Sequence, residues 1–104
     1  VFYIKQKGQV LRIPLQEIFY FKSDRKKVTA VTRTKEEAFY ARLSDIEAEL
    51  PRGFIRIHNR YLVNLRHVDR IGNTFCLCGG EKLPVSRACR QDLAVAFARK
   101  ILNT

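Results

Sequence analysis

The sequence predicts a mainly β domain: a compact antiparallel fold with one short internal helix and a C-terminal helix. Short apolar and β-branched runs recur along most of the chain, with the composition of strands and too little length for globular helices. Breaks rich in glycine and polar residues separate them at close, even intervals, as in a series of antiparallel strands. Helical spacing of apolar residues appears in only two places, around Leu43 to Leu50 and from Cys89 onward.

In chain order, Phe2 to Lys5 and Val10 to Leu15 flank Gly8-Gln9, a tight turn in which glycine tolerates positive φ, so a hairpin is expected. Ile18 to Phe21 is a third strand. The polar hexapeptide Lys22 to Lys27 reads as a loop, and Val28 to Thr32 resumes with β-branched residues. Ala38 to Ala41 is a further strand. Ser44 then reads as a helix N-cap with Glu47 in the capping-box position, and Leu43, Ile46 and Leu50 share one face until Pro51 and Gly53 stop the helix. Strands follow at Phe54 to His58, Tyr61 to Val63, Val68 to Ile71, Phe75 to Cys78 and Lys82 to Ser86, with turns at Gly72-Asn73 and Gly79-Gly80. Cys89, Leu93, Phe97 and Ile101 recur every four residues in the last helix, which directs Phe97 to the core. No internal repeat, linker or low-complexity stretch interrupts this order.

At 104 residues the chain is one domain, spanning residues 1–104, and 46% hydrophobic residues give it a core. Twenty Lys and Arg against ten Asp and Glu leave a net charge of +10, so the basicity lies on a surface and favours an anionic polymer or surface as partner. The charge is also uneven. Five acids fall between Glu36 and Glu49, whereas Arg52, Arg56, Arg60, Arg66 and Arg70 face Asp69 alone, which predicts a polarised domain.

No apolar run reaches the ~20 residues of a membrane span, and no signal peptide is evident. Cys76, Cys78 and Cys89 are an odd number for a disulfide framework and fit a reducing compartment, so the expected location is the cytoplasm. Two thiols at period-two spacing without further ligands read as buried strand cysteines and not as a metal site. Glycine-loop, nucleophile-elbow and His-Glu-x-x-His motifs are absent, so the sequence points to no enzyme, no metal and no cofactor.

The segment Phe54 to Val68 carries the sharpest signal, crowding three arginines and two histidines onto β-patterned runs. Alternation puts Phe54, Arg56 and His58 on one side and Ile55 and Ile57 on the other, with Asn59 and Arg60 at a polar corner. Asn59 has the donor and acceptor to read a base edge or bind a sugar-phosphate, and it equally suits the dihedrals of a tight turn. His58 and His67 fit a structural hydrogen bond or a phosphate contact beside arginines. Arg25, Lys26 and Lys27 form a second basic loop, which alone reads as a solvated turn. Arg87 and Arg90 form a third at the start of the last helix, where backbone N–H groups favour anions. The coincidence of three basic loops favours nucleic acid.

With these residues in view the chain resembles the LytTR DNA-binding domain, the output module of many bacterial response regulators. The likeness rests on Ile18-Phe19-Tyr20-Phe21 before a polar loop, on Phe54 to Asn64 followed by His67-Val68, and on Leu83-Pro84-Val85-Ser86-Arg87 leading into Arg90. It implies stacked antiparallel sheets, and promoter DNA bound through loops that enter two successive major grooves and the minor groove between them. By position, Arg25, Lys26 and Lys27 would belong to one major-groove loop and Arg87 to the other, with Arg90 nearby among the expected DNA-binding residues. Asn59 would approach the minor groove, flanked by His58 and Arg60. Lysines stand in the first loop where some relatives carry a histidine or an aromatic residue, which favours phosphate contact there and leaves Arg87 as the better base reader.

The resemblance further implies double-stranded promoter DNA as partner, a receiver or other sensor domain outside this chain, and dimers on repeated half-sites. The start at Val1 fits the C-terminal output fragment of a longer regulator. Two other readings stay open: an RNA-binding basic β domain, and a non-catalytic protein-interaction domain with a basic face. Against RNA, Phe19, Tyr20, Phe21 and Phe54 lie in runs that look buried, and no aromatic stands among the basic loops.

Overall fold

Ten short strands and two helices stack in three layers in the computed structural model, which describes residues 1–102. Strands β1 (Phe2–Gln6) and β2 (Gln9–Ile13) form an outer hairpin. The middle layer is a five-stranded antiparallel sheet of β3 (Ile18–Asp24), β4 (Lys27–Thr32), β5 (Glu36–Tyr40), β6 (Phe54–His58) and β7 (Tyr61–Asn64), in the order β5-β4-β3-β7-β6. The third layer is the sheet β10-β9-β8, built from β8 (Val68–Ile71), β9 (Phe75–Cys78) and β10 (Glu81–Pro84). Helix α1 (Leu43–Glu49) joins β5 to β6, and α2 (Arg87–Leu102) packs beside β6.

The middle sheet is buried on both faces, which explains its continuous apolar runs. Successive residues feed different cores. Phe21, Val28, Ala30 and Leu62 join Phe2, Ile4 and Ile13 of the hairpin and Leu43 and Ile46 of α1. Tyr20, Val31, Ile57 and Val63 join Cys76, Cys78 and Leu83 of the third layer and Leu93 of α2. The stacked-sheet expectation therefore holds, and so does the alternation in β6, where Phe54 packs on the first core and Ile55 and Ile57 on the second. The two strand cysteines are buried as expected, and burial pushes their thiols from the ordinary 9.0 up to about 11 at Cys76 and about 12 at Cys78.

Four details depart from the sequence reading. Lys22 to Lys27 is mostly strand, since Asp24 pairs with Lys27 and only Arg25 and Lys26 turn. The apolar cores lie farther back, and the ladder continues past them through polar residues. Ser44 does not cap α1: the helix starts at Leu43, and the Arg42 carbonyl accepts from the Asp45 and Ile46 amides without a side-chain cap. Glu47 is drawn away by an ion pair with Arg56 at 2.8 Å. The last β-strand stops at Pro84, because the Val85 amide reaches Thr74 and the Ser86 amide reaches Ile57. In α2, Leu93 is the buried residue, Phe97 is half-buried on the second core, and Ile101 is 58% exposed because the last turns outrun the sheet.

Gly79 closes the β9–β10 turn at φ +59°, and a Cβ there would strike the Phe19 ring. Gly80 follows at φ +86°, so this pair adopts the left-handed turn that glycine alone enters without strain.

Candidate nucleic-acid interface

Two long-range backbone hydrogen bonds join the three basic segments into one strip. The Ser23 amide donates to the Arg60 carbonyl at 2.8 Å, setting the β3–β4 tip beside the β6–β7 turn. The Ser86 amide donates to the Ile57 carbonyl at 2.8 Å, setting the start of α2 beside the other flank of that turn. The order across the strip is therefore Arg25-Lys26-Lys27, then His58-Asn59-Arg60, then Arg87 and Arg90. All eight are exposed except His58, which is half-buried.

Arg25 occupies the tip with φ 58°, the one positive φ at a non-glycine among the described residues. Lys27 lies on the strand beyond it and directs its ammonium over the Tyr40 ring, 5.1 Å from the centroid. The Lys26 carbonyl accepts from the Ala41 amide at 3.2 Å, which ties the tip to the end of β5.

The central turn is held from behind by Arg56. Its Nε donates to the His58 carbonyl at 2.8 Å, one terminal nitrogen donates to the Asn59 carbonyl at 2.9 Å, and the other meets Glu47. Arg56 is thus a fixed clamp and not one of the free cations that its place in the basic segment suggested. The Arg60 amide donates to His58 Nδ1 at 3.1 Å, so the neutral ring carries its proton on Nε2. The Asn59 side chain makes no hydrogen bond among the described residues, and its backbone does not use positive φ. Asn59 thus sits in the turn with its side chain unengaged, whereas Asn64 is structural: its amide bonds Leu15, Ile18 and the Arg66 N–H.

His67 lies off the strip, bonded through Nε2 to the Gln16 carbonyl at 2.6 Å and packed on Phe19. Among the described residues no three His, Cys, Asp or Glu side chains gather as a metal site would require, and no helix is long and apolar enough to cross a membrane.

Sequence reasoning missed three features. The clamp role of Arg56 depends on a bulge between Arg56 and His58 that no local pattern announces. Tyr40 is 75% exposed beside Lys27, so an aromatic does stand next to a basic loop; period-two alternation with buried Phe39 was the available signal. Lys5 and Lys7 line a cleft of about 460 Å3 together with Lys27, a neighbourhood that only the folded chain creates.

Comparison with known proteins gives one family. The model of the LytTr DNA-binding domain matches residues 8–98. Among solved structures, the LytTr DNA-binding domain of a putative methyl-accepting/DNA response regulator from Bacillus cereus superposes with a TM-score of 0.77 at 22% identity, covering 91% of this chain and 94% of that one. No curated protein matches.

Proposed function

The chain belongs to the LytTR DNA-binding domain family, and from that premise we propose that it binds double-stranded promoter DNA sequence-specifically and so regulates transcription. The observation that carries this reading is the strip itself: the Ser23–Arg60 and Ser86–Ile57 hydrogen bonds line up three exposed basic segments with an unengaged asparagine in the middle one. The outer segments suit successive major grooves and the Asn59 turn the minor groove between them. Arg87 serves as a base reader, since guanidinium pairs with guanine O6 and N7, while Arg25, Lys26, Lys27, Arg60 and Arg90 neutralise phosphates. His58 contributes its Nε2–H beside Asn59. The chemistry is binding alone and calls for no catalysis, metal or cofactor.

On this reading the domain is the output part of a cytoplasmic regulator whose receiver or sensor domain controls it, and a dimer would occupy repeated half-sites. Selecting bound duplexes from a random pool tests it. An enriched motif, lost or relaxed at one position with Arg87→Ala, is the expected result; a pool without enrichment would sink it. Tyr40 gives one foothold to single-strand binding by base stacking. A single-stranded RNA that outcompetes the selected duplex, with Tyr40→Ala abolishing that advantage, would favour this second reading.

A further inference from the structure

Where β6 begins and β7 ends, at the pole opposite the Asn59 turn, these strands and the later turns of α2 enclose a cleft of about 860 Å3. Arg52, Arg66, Arg99 and Lys100 line it and are exposed; Phe54, Leu65 and Ala96 line it from buried or half-buried positions. No Asp or Glu lines the cleft. Among the described residues the ion pairs are Lys22–Glu36 and Arg56–Glu47, so none of these four cations has a carboxylate partner. Cations converging on a concave surface with apolar walls concentrate a positive potential that attracts an anion.

The duplex cannot be that anion while it occupies the strip. The cleft and the turn lie at opposite ends of β6, which rises ~3.3 Å per residue, and a stiff duplex seated across one end of the strands does not fold back to the other. The cleft's volume falls in the ~300–1,000 Å3 range of ligand-sized sites, enough for several side chains and too little for a folded domain. Its apolar walls ask for more than charge.

We propose that this cleft docks a short acidic segment of a partner protein, with an apolar side chain seated against Phe54 and Leu65, while the opposite pole holds DNA. The inference goes beyond the DNA-binding reading and can be tested without DNA.

The probe is a short fluorescent peptide alternating aspartate and leucine, followed by anisotropy with the full chain. Saturable binding is expected, weakened roughly tenfold or more by Arg66→Glu with Arg99→Glu. Arg66→Gln with Arg99→Gln supplies the same readout with less disturbance, and thermal melting of both variants verifies the fold. A peptide with asparagine in place of aspartate, or one of aspartate alone, should bind at least several-fold more weakly. Excess duplex should leave the peptide bound. Equal binding of either control peptide, variants that bind like the parent, or no binding at all would overturn the proposal. Displacement by duplex would overturn it in favour of a nucleic-acid surface at this pole.

Discussion

Arg87 and Lys26 stand at opposite ends of the strip, and their loss should be felt differently. If Arg87 reads a base as proposed, Arg87→Ala removes that planar fork, so affinity for the selected duplex should fall by about 1–3 kcal/mol with relaxed preference at a single position. Lys26→Ala removes a point charge and should weaken selected and scrambled duplexes alike, as parallel titrations would reveal. At Arg25 the backbone separates fold from function. With φ 58° it occupies a region that costs a non-glycine about 1 kcal/mol or more, so Arg25→Gly should leave stability unchanged or raise it by as much as about 1 kcal/mol while duplex affinity falls. A clear loss of stability in urea would show instead that the side chain holds the tip. The buried thiols predict a pH dependence of stability. Burial raises Cys76 to about 11 and Cys78 to about 12 from 9.0, and Tyr20 to about 12 from 10.0. The unfolded chain therefore releases these protons first, so the contribution is complete below about pH 9 and is lost as pH rises toward 12. The urea midpoint should fall over that window, and a midpoint flat from pH 8 to 11 would contradict the burial.

At the scale of elements, the β6–β7 turn owes its shape to Arg56. Arg56→Ala should destabilise the domain by about 1–3 kcal/mol and weaken duplex binding through a loosened turn. Arg56→Lys should fare little better, because an ammonium cannot span the His58 and Asn59 carbonyls and the Glu47 carboxylate together. Lysine performing like arginine, in melting and in binding, would reduce the clamp to a charge effect. Elements built on local patterns were readable from the sequence: the Ile18 to Phe21 run, the alternation of β6 and the presence of α2, of whose every-fourth-residue stripe Leu93 and Phe97 reach the core. Those set by a distant partner were not. Glu47 fits a capping box with Ser44, but the pull of Arg56 decides its place, and the polar residues from Lys22 to Asp24 become strand because β4 continues beside them. The Gly79–Phe19 approach is likewise a long-range packing fact behind an ordinary turn signal.

Across the whole molecule, residue type betrayed the three basic segments, whereas their adjacency came only with folding. Ser23 lies far in sequence from Arg60, and Ile57 far from Ser86, so no spacing rule relates them. The same topology sends Arg52, Arg66, Arg99 and Lys100 to the other pole, dividing ten of the chain's twenty basic residues between two surfaces. That division has a measurable consequence. Counterion release depends on the phosphates neutralised and not on total charge, with a slope of about −0.9 per contact. The strip holds six formal cations, namely Arg25, Lys26, Lys27, Arg60, Arg87 and Arg90. The slope of log affinity against log salt for one domain on duplex DNA should therefore be no steeper than about −5.4, and shallower by whatever share Arg87 spends on a base. Lys26→Ala should flatten it by about 0.9, and Arg66→Gln with Arg99→Gln should leave it unchanged. A parent slope well beyond about −5.4, flattened by the Arg66 and Arg99 changes, would mean that the duplex wraps both poles and that the two surfaces are one.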